Sequence, residues 1–330
     1  MKFVVLGAGA VGCYVGGRLA ADGQQVCLVG RPHALAPVAE QGLHVTDLDG
    51  FDAQVPAHRL QLARTLADAA PGAGSVVLLC VKSGATPDAA REIAAICAPG
   101  TTVVSLQNGL DNVAAIAACA PGLHALAGMV PYNVVLRGNH VHRATAGVLQ
   151  LARDPVTTEM ALLLNAAGLA TVLPADIRAV QWGKLLLNLN NPVNALSDLP
   201  LRDELLDRDC RRVLAALQTE ALHAMAAAGI TPAQVAAVSP TVLPRLLRLP
   251  NWLFTRIARR MLQMDASARS SMWDDLEAGR VTEIDAICGA VVRLAAQQGR
   301  TAPLNARMCE LLAGPRQRLA GAQMRQLLGI

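Results

Sequence analysis

"KFVVLGAGAVGCYVGGRLAA" (Lys2 to Ala21) decides the fold. A short β-rich apolar run leads straight into Gly7-Ala8-Gly9-Ala10-Val11-Gly12, and a helix-like stretch follows from Ala10 to Ala21. In that strand, turn and helix context the GxGxxG spacing carries a mechanism. Gly7 permits the tight turn, Gly9 lets the backbone approach a pyrophosphate, Gly12 allows close packing of helix on strand, and the helix N-terminus faces the anion. The spacing predicts dinucleotide binding by Gly7, Ala8, Gly9, Ala10, Val11 and Gly12. A glycine turn used only for packing is the competing reading. The stretch also resembles a secretion leader, but cleavage would discard the phosphate-binding glycines.

Outward from this unit, strands and helices alternate. "QQVCLVG", "SVVLLCVK" and "TTVVSLQ" read as strands, with helices from about Asp88 to Cys97 and from about Leu110 to Cys119. Such alternation implies crossovers and a parallel sheet with helices on both faces. "VVLRGNHVHRA" has a Gly-Asn turn between β-rich runs and predicts antiparallel strands. A helix near Val156 to Ala167 and a strand "LATVLP" close this half. From Asp176 onward apolar residues recur at helical spacing, as in Ile284, Ile287, Val291 and Leu294. The expected fold is therefore α/β: an N-terminal Rossmann-type parallel sheet with antiparallel strands added (1–174), followed by an all-α C-terminal domain (175–330).

Composition excludes several classes. Hydrophobic residues make up 53% of the 330 residues and charged residues 16%, which suits a large core and not disorder. A net charge of +4 with 2% aromatics argues against nucleic acid and is compatible with an anionic small molecule. The eight cysteines are scattered, without CxxC pairs or zinc spacing, so no metal is expected and a reducing compartment is. Asn112 to Leu136 lacks Asp, Glu, Lys and Arg, but Pro121-Gly122 and Pro131 break it as a membrane span. A soluble cytoplasmic protein is expected. The basic segment "RLLRLPNWLFTRIARRM" (Arg245 to Met261) reads as an amphipathic helix covering the second domain in preference to a partner or membrane surface.

Three residues follow strands of the first domain. Arg31 stands where an NAD-selective site would carry Asp or Glu, and its guanidinium suits a 2′-phosphate, which predicts NADP(H). Lys82 ends "VVLLCVK" and Asn108 ends "TVVSLQN"; ligands of open parallel sheets bind beyond the carboxyl ends of strands. Asn108-Gly109 also reads as a plain turn.

Lysine occurs only three times, at Lys2, Lys82 and Lys184, in a chain that otherwise chooses arginine. In "GKLLLNLNNPVN" Asp176 is a good N-cap and Pro192 ends or kinks the helix, so Lys184 lies mid-helix. Asn188 and Asn191 follow at i+4 and i+7 on one face, and the leucines cover most of the rest. A solvated amphipathic stripe is the alternative. Arginine cannot release a proton at usable pH, whereas a desolvated lysine can, so this position suits a proton donor. In "ARSSMWDDLEAGRVTEID", Thr282 and Asp285 predict a capping box with Glu283 in the first helical turn, either as a dipole partner or as a carboxylate near a ligand. Ser270 and Ser271 are candidate donors to a substrate carboxylate.

Together "GAGAVG", "VGR" at Arg31, "VK" at Lys82, "QNG" at Asn108, "KLLLNLNNPVNAL" from Lys184 and "SSM…EAGRVTEID" with Ser271 and Glu283 resemble the ketopantoate reductase family over nearly the whole length. The resemblance implies a Rossmann domain, a helical second domain, an active site between them, and NADPH-dependent reduction of a 2-oxo acid. The expected reaction is 2-dehydropantoate to pantoate, a step of pantothenate biosynthesis. It implies Lys184 as proton donor, Asn108 near nicotinamide and substrate, and Lys82 on the cofactor. Asn188 and Asn191 would line the substrate site, Ser271 would meet its carboxylate, and Glu283 would position cofactor or substrate. Ala268, Trp273 and Asp274 differ from common members. A D-2-hydroxyacid dehydrogenase with another side-chain preference and a non-catalytic NADP-binding regulator stay open, as does the oligomeric state, a homodimer included.

Overall fold

The computed structural model describes residues 1–259, 261–262 and 268–330. The chain divides into two compact units, Met1–Ile177 and Arg178–Ile330. The first carries strands β1 (Lys2–Leu6), β2 (Gln25–Val29), β3 (Leu43–Asp47), β4 (Asp52–Val55), β5 (Gln61–Ala63), β6 (Ser75–Leu79), β7 (Thr102–Ser105), β8 (His124–Met129), β9 (Val134–Arg137), β10 (His140–Arg143), β11 (Leu149–Leu151) and β12 (Thr171–Val172). Its helices are α1 (Ala10–Ala21), α2 (Pro32–Gln41), α3 (Leu66–Ala69), α4 (Thr86–Ile96), α5 (Asn112–Cys119) and α6 (Pro155–Ala166).

The larger sheet runs β12-β11-β8-β7-β6-β1-β2-β5. From β5 to β8 every pairing is parallel, and the chain order reverses between β1 and β6. That reversal is the switch point at which doubly wound sheets bind ligands. The continuous apolar runs follow from burial on both faces. On β1, Phe3 and Val5 join the cluster of Tyr14, Val15 and Leu19 from α1, whereas Val4 and Leu6 join Ala89, Ala90 and Ile93 from α4.

The Gly138-Asn139 turn does connect antiparallel strands, with Arg137 opposite His140 and Gly138 at φ +59°. These strands do not extend the large sheet, however. They form a second sheet, β4-β3-β10-β9, and in the large sheet the antiparallel pairing is β11 against β8, with β12 running alongside β11. A buried polar cluster ties α1 to this second sheet. Arg18 Nη1 lies 2.7 Å and Arg143 Nη2 3.2 Å from Asp47 Oδ2, and Arg143 Nε donates to Tyr14 OH at 2.9 Å. Burial alone would raise the Asp47 carboxyl; the Phe51 and Asp49 amides and Arg143 outweigh it and hold it below the usual range.

The second unit is helical: α7 (Ile177–Asn188), α8 (Asn190–Ser197), α9 (Leu201–Leu206), α10 (Arg208–Ala227), α11 (Leu243–Leu247), α12 (Asn251–Ile257), α13 (Ser271–Glu277), α14 (Ala290–Gln297), α15 (Pro303–Ala313) and α16 (Gly321–Leu328). α10 packs against α8, α9, α11, α14, α15 and α16. Its Arg211 is buried and donates to the carbonyls of Leu205, Leu206, Leu247 and Leu249 and to Asn251 Oδ1. The expected helix from Arg245 to Met261 is two short ones, because Pro250 interrupts it; Arg260 lies outside the described residues. Among the described residues no helix is long and apolar enough to cross a membrane, and no cluster of histidine, cysteine or carboxylate side chains suits a metal.

Candidate active site

The glycine turn is built for close approach. Gly7 has φ +115°, and a Cβ there would stand 2.7 Å from Val81 N. A Cβ on Gly12 would stand 2.8 Å from Val5 Cγ1. Gly7 and Ala8 donate their N–H groups to Val29 O, both at 3.0 Å, which fixes the turn on the end of β2. The start of α1 has no side-chain cap and no acidic residue in its first turn. Its first amides and the partial positive charge of the helix end therefore suit a phosphate group. Around Gly9 a Cβ would meet nothing within 4 Å. The residues present fit a dinucleotide pyrophosphate.

Gly30 brings Arg31 to this turn. A Cβ on Gly30 would lie 2.6 Å from the Cβ of Ala8, so only glycine lets the end of β2 pass the loop so closely. Arg31 follows as the exposed residue before α2, with extended backbone (φ −66°, ψ 148°) and no side-chain cap bond.

Lys82 and Asn108 stand three residues beyond the ends of β6 and β7. Polar side chains hold their loops together. Ser83 Oγ donates to Asn108 O at 2.5 Å, and Asn112 Nδ2 donates to the same oxygen at 2.8 Å. Gln107 Nε2 donates to Val81 O at 2.9 Å and to Thr86 Oγ1 at 2.8 Å, and Thr86 Oγ1 donates to Asn112 Oδ1 at 2.9 Å. Gly109 has φ +92°, so the turn reading of Asn108-Gly109 is correct and coexists with the placement of Asn108 at the strand ends. Ser83, Thr86, Gln107 and Asn112 escape a reading by motif. Their signal is polar residues just past two apolar strands.

In the second unit Lys184 sits within α7, half-buried. Gly183 lets the helix lie against the loop between α10 and α11, since a Cβ there would stand 2.2 Å from Ala233 O. Burial lowers the Lys184 ammonium to about 8, and the nearby Glu283 carboxylate acts in the opposite direction. The lysine and glutamate singled out separately in the sequence are thus electrostatic neighbours.

Two local expectations are corrected. α7 ends at Asn188 and α8 starts at Asn190, so Asn191 does not share a continuous helix with Lys184 at i+7. Pro192 offers no N–H to the Asn188 carbonyl, and its ring would crowd that carbonyl in an unbroken helix. At the break, Gln218 Nε2 donates to Leu186 O at 2.9 Å. The Thr282/Asp285 capping box is absent as well. The helix opens with a π turn, Asp285–Gly289, just after Glu283, and Asp285 Oδ1 pairs with Arg293 Nη1 at 2.8 Å. The charged partner outcompetes a neutral cap.

Of the two serines, Ser270 is buried and caps α13 through Trp273 N (3.2 Å), whereas Ser271 is the exposed first residue of that helix. Trp273 is pinned by its Nε1, which donates to Asp198 Oδ1 at 2.6 Å, with Arg269 over its ring. The Ala268 carbonyl accepts from Leu201 N at 2.9 Å.

Residues 3–155 match the family model described as ketopantoate reductase PanE/ApbA, and residues 176–316 match its C-terminal model. A 2-dehydropantoate 2-reductase of Halobacterium salinarum is 30% identical over 320 residues, covering 94% of this chain and 98% of that protein. The crystal structure of a PanE/ApbA family ketopantoate reductase from Ralstonia eutropha JMP134 superposes with a TM-score of 0.79 at 27% identity, covering 100% of this chain and 99% of that one. A D-mandelate dehydrogenase solved with NADH and anilino(oxo)acetate has a TM-score of 0.75 at 20% identity over 99% of each chain, a likeness of fold.

Proposed function

The chain belongs to the ketopantoate reductase family, oxidoreductases acting on CH–OH groups with a nicotinamide cofactor, and from that premise we propose that it reduces 2-dehydropantoate to pantoate with NADPH. The observation that carries this reading is Lys184, a desolvated ammonium lowered to about 8 beside Glu283. An amine in that range is charged at neutral pH yet releases its proton readily, which is what the reduction of a carbonyl requires.

The glycine turn from Gly7 to Gly12 would hold the pyrophosphate, and Arg31 the 2′-phosphate that separates NADPH from NADH. Lys82 and Asn108 would contact the cofactor, Asn108 also the substrate. Bound there, NADPH supplies the hydride that reduces the C2 carbonyl. Lys184 donates a hydrogen bond to the carbonyl oxygen, polarises it and passes its proton to that oxygen as negative charge develops. Glu283 keeps the ammonium from falling further and orients it. Asn188, Asn191 and Ser271 would bind the remaining polar groups of the oxo acid.

The test is NADPH oxidation across 2-dehydropantoate, 2-oxoisovalerate and phenylglyoxylate, with NADH in parallel. 2-Dehydropantoate is expected to give the highest kcat/KM. Preference for the aromatic acid would identify a D-2-hydroxyacid dehydrogenase, and cofactor binding without turnover would identify a non-catalytic binder.

A further inference from the structure

Glu204, on α9, is 1% exposed. Its Oε2 accepts from Asn194 Nδ2 at 2.7 Å and from Asn190 Nδ2 at 3.4 Å, both neutral amides. The charged neighbour that acts on it is Asp207, whose sign is the same. Among the other ionisable groups of the surrounding helices, Arg202 and Asp203 share α9, and Arg208, Asp209 and Cys210 open α10. Arg211 directs its guanidinium to backbone carbonyls and Asn251. Among the described residues Asn190 Oδ1 is buried without a donor, so this corner has an acceptor to spare, and a proton on Glu204 would add the donor it lacks.

The carboxyl group is the far end of a chain of bonds into the candidate site. Asn194 Nδ2 also donates to Leu199 O at 2.9 Å, and its Oδ1 accepts from Ser270 N at 2.9 Å. Ser270 Oγ in turn donates to Asn191 O at 3.3 Å and accepts from Trp273 N. Asn194, on α8, therefore ties Leu199 and Glu204, a few residues on, to the start of α13, far away in sequence.

We propose that Glu204 is a positioning residue that works as a neutral acid: holding its proton, it locks Asn194 and the Ser270 cap, and so fixes Asn191 and Ser271. Their use by the substrate rests on the reductase reading; the lock itself does not. Burial pushes the Glu204 carboxyl up to about 8, with Asp207 adding to the rise and the two amides opposing it. Because the folded-state value lies above the ordinary carboxyl value, the lock is strongest near that ordinary value, weakens as pH rises toward about 8 and loses no more above it.

The experiment is hydrogen exchange at the Ser270 and Trp273 amides, corrected for intrinsic rate, in full-length wild type, E204Q and E204A from about pH 6.5 to about pH 9.5. Wild-type protection is expected to fall about tenfold or more between the acid end and about pH 8 and to level off above it, E204Q to stay protected throughout, and E204A to be unprotected even at the acid end. The KM for the oxo acid should follow the same pattern, while the alkaline loss of kcat, which belongs to Lys184, persists in E204Q. A flat wild-type profile, or the same decline in E204Q, overturns the neutral acid. Full protection and unchanged KM in E204A overturn the positioning role. Absence of turnover in every protein would sink the reductase reading alone, since exchange still judges the lock.

Discussion

A Cβ on Gly12 would stand 2.2 Å from the carbonyl oxygen of Gly7, whereas one on Gly9, two residues into the same turn, would meet nothing within 4 Å. The two glycines therefore answer to different demands. Gly12→Ala should destabilise the first unit by on the order of 3 kcal/mol, because backbone cannot move aside as a flexible side chain can. Gly9→Ala, at φ −92°, should leave the melting temperature within about 2 °C while weakening cofactor binding about tenfold or more, since the methyl fills space left for the pyrophosphate. Thermal unfolding and fluorescence titration with NADPH separate the two.

Arg31→Ala tests cofactor choice. Loss of charge-assisted bonds worth about 1.5–3 kcal/mol should raise the KM for NADPH about 10–100-fold and leave that for NADH nearly unchanged. The side chain is exposed and makes no cap bond, so thermal stability should not move.

For Lys184→Ala we expect kcat to fall by about 10²–10⁴ with cofactor affinity intact. Lys184→Arg should not rescue it, because a guanidinium keeps its proton. In the wild type, turnover should fall as pH rises through about 8, where the ammonium loses its proton. The stability sign is opposite. A lysine whose folded value lies below its ordinary one penalises the fold wherever it is charged, so stability attributable to it rises with pH above about 8. Lys184→Met should accordingly raise the melting temperature at neutral pH while abolishing turnover, a combination that a merely structural lysine would not give.

Arg211→Ala should cost at least about 3 kcal/mol, because it strands several buried acceptors at once. Urea denaturation reads it directly, and the loss should be confined to the helical unit.

Much of this is legible in the amino-acid sequence, for physical reasons. β1, β2, β6 and β7 are buried on both faces and so spell themselves as apolar runs, and the glycine turn has a spacing set by sterics. Non-local pairing leaves no such trace. β3 lies beside β10 through His44 opposite His140, a partnership that no local periodicity encodes, although "LHVTD" alternates as a one-faced strand should. At Pro192 the break was predictable from the ring, but its place, ahead of Asn190, was not. Adjacent serines at 270 and 271 look alike in sequence; which one caps the helix depended on Asn194, far upstream. Asp285 pairs with Arg293, further along the chain, which the local capping pattern does not reveal. Trp273 is held by Asp198, a partner 75 residues upstream that no local pattern announces.

Residue 31 occupies the position just ahead of Pro32, where the chain is extended and the next helix has yet to begin. Aspartate, the residue that grips ribose hydroxyls in NAD-selective folds, is also among the best starters of a helix. If Arg31 does choose the dinucleotide, an exchange of arginine for aspartate at this point would alter that choice without removing any bond that the start of α2 depends on.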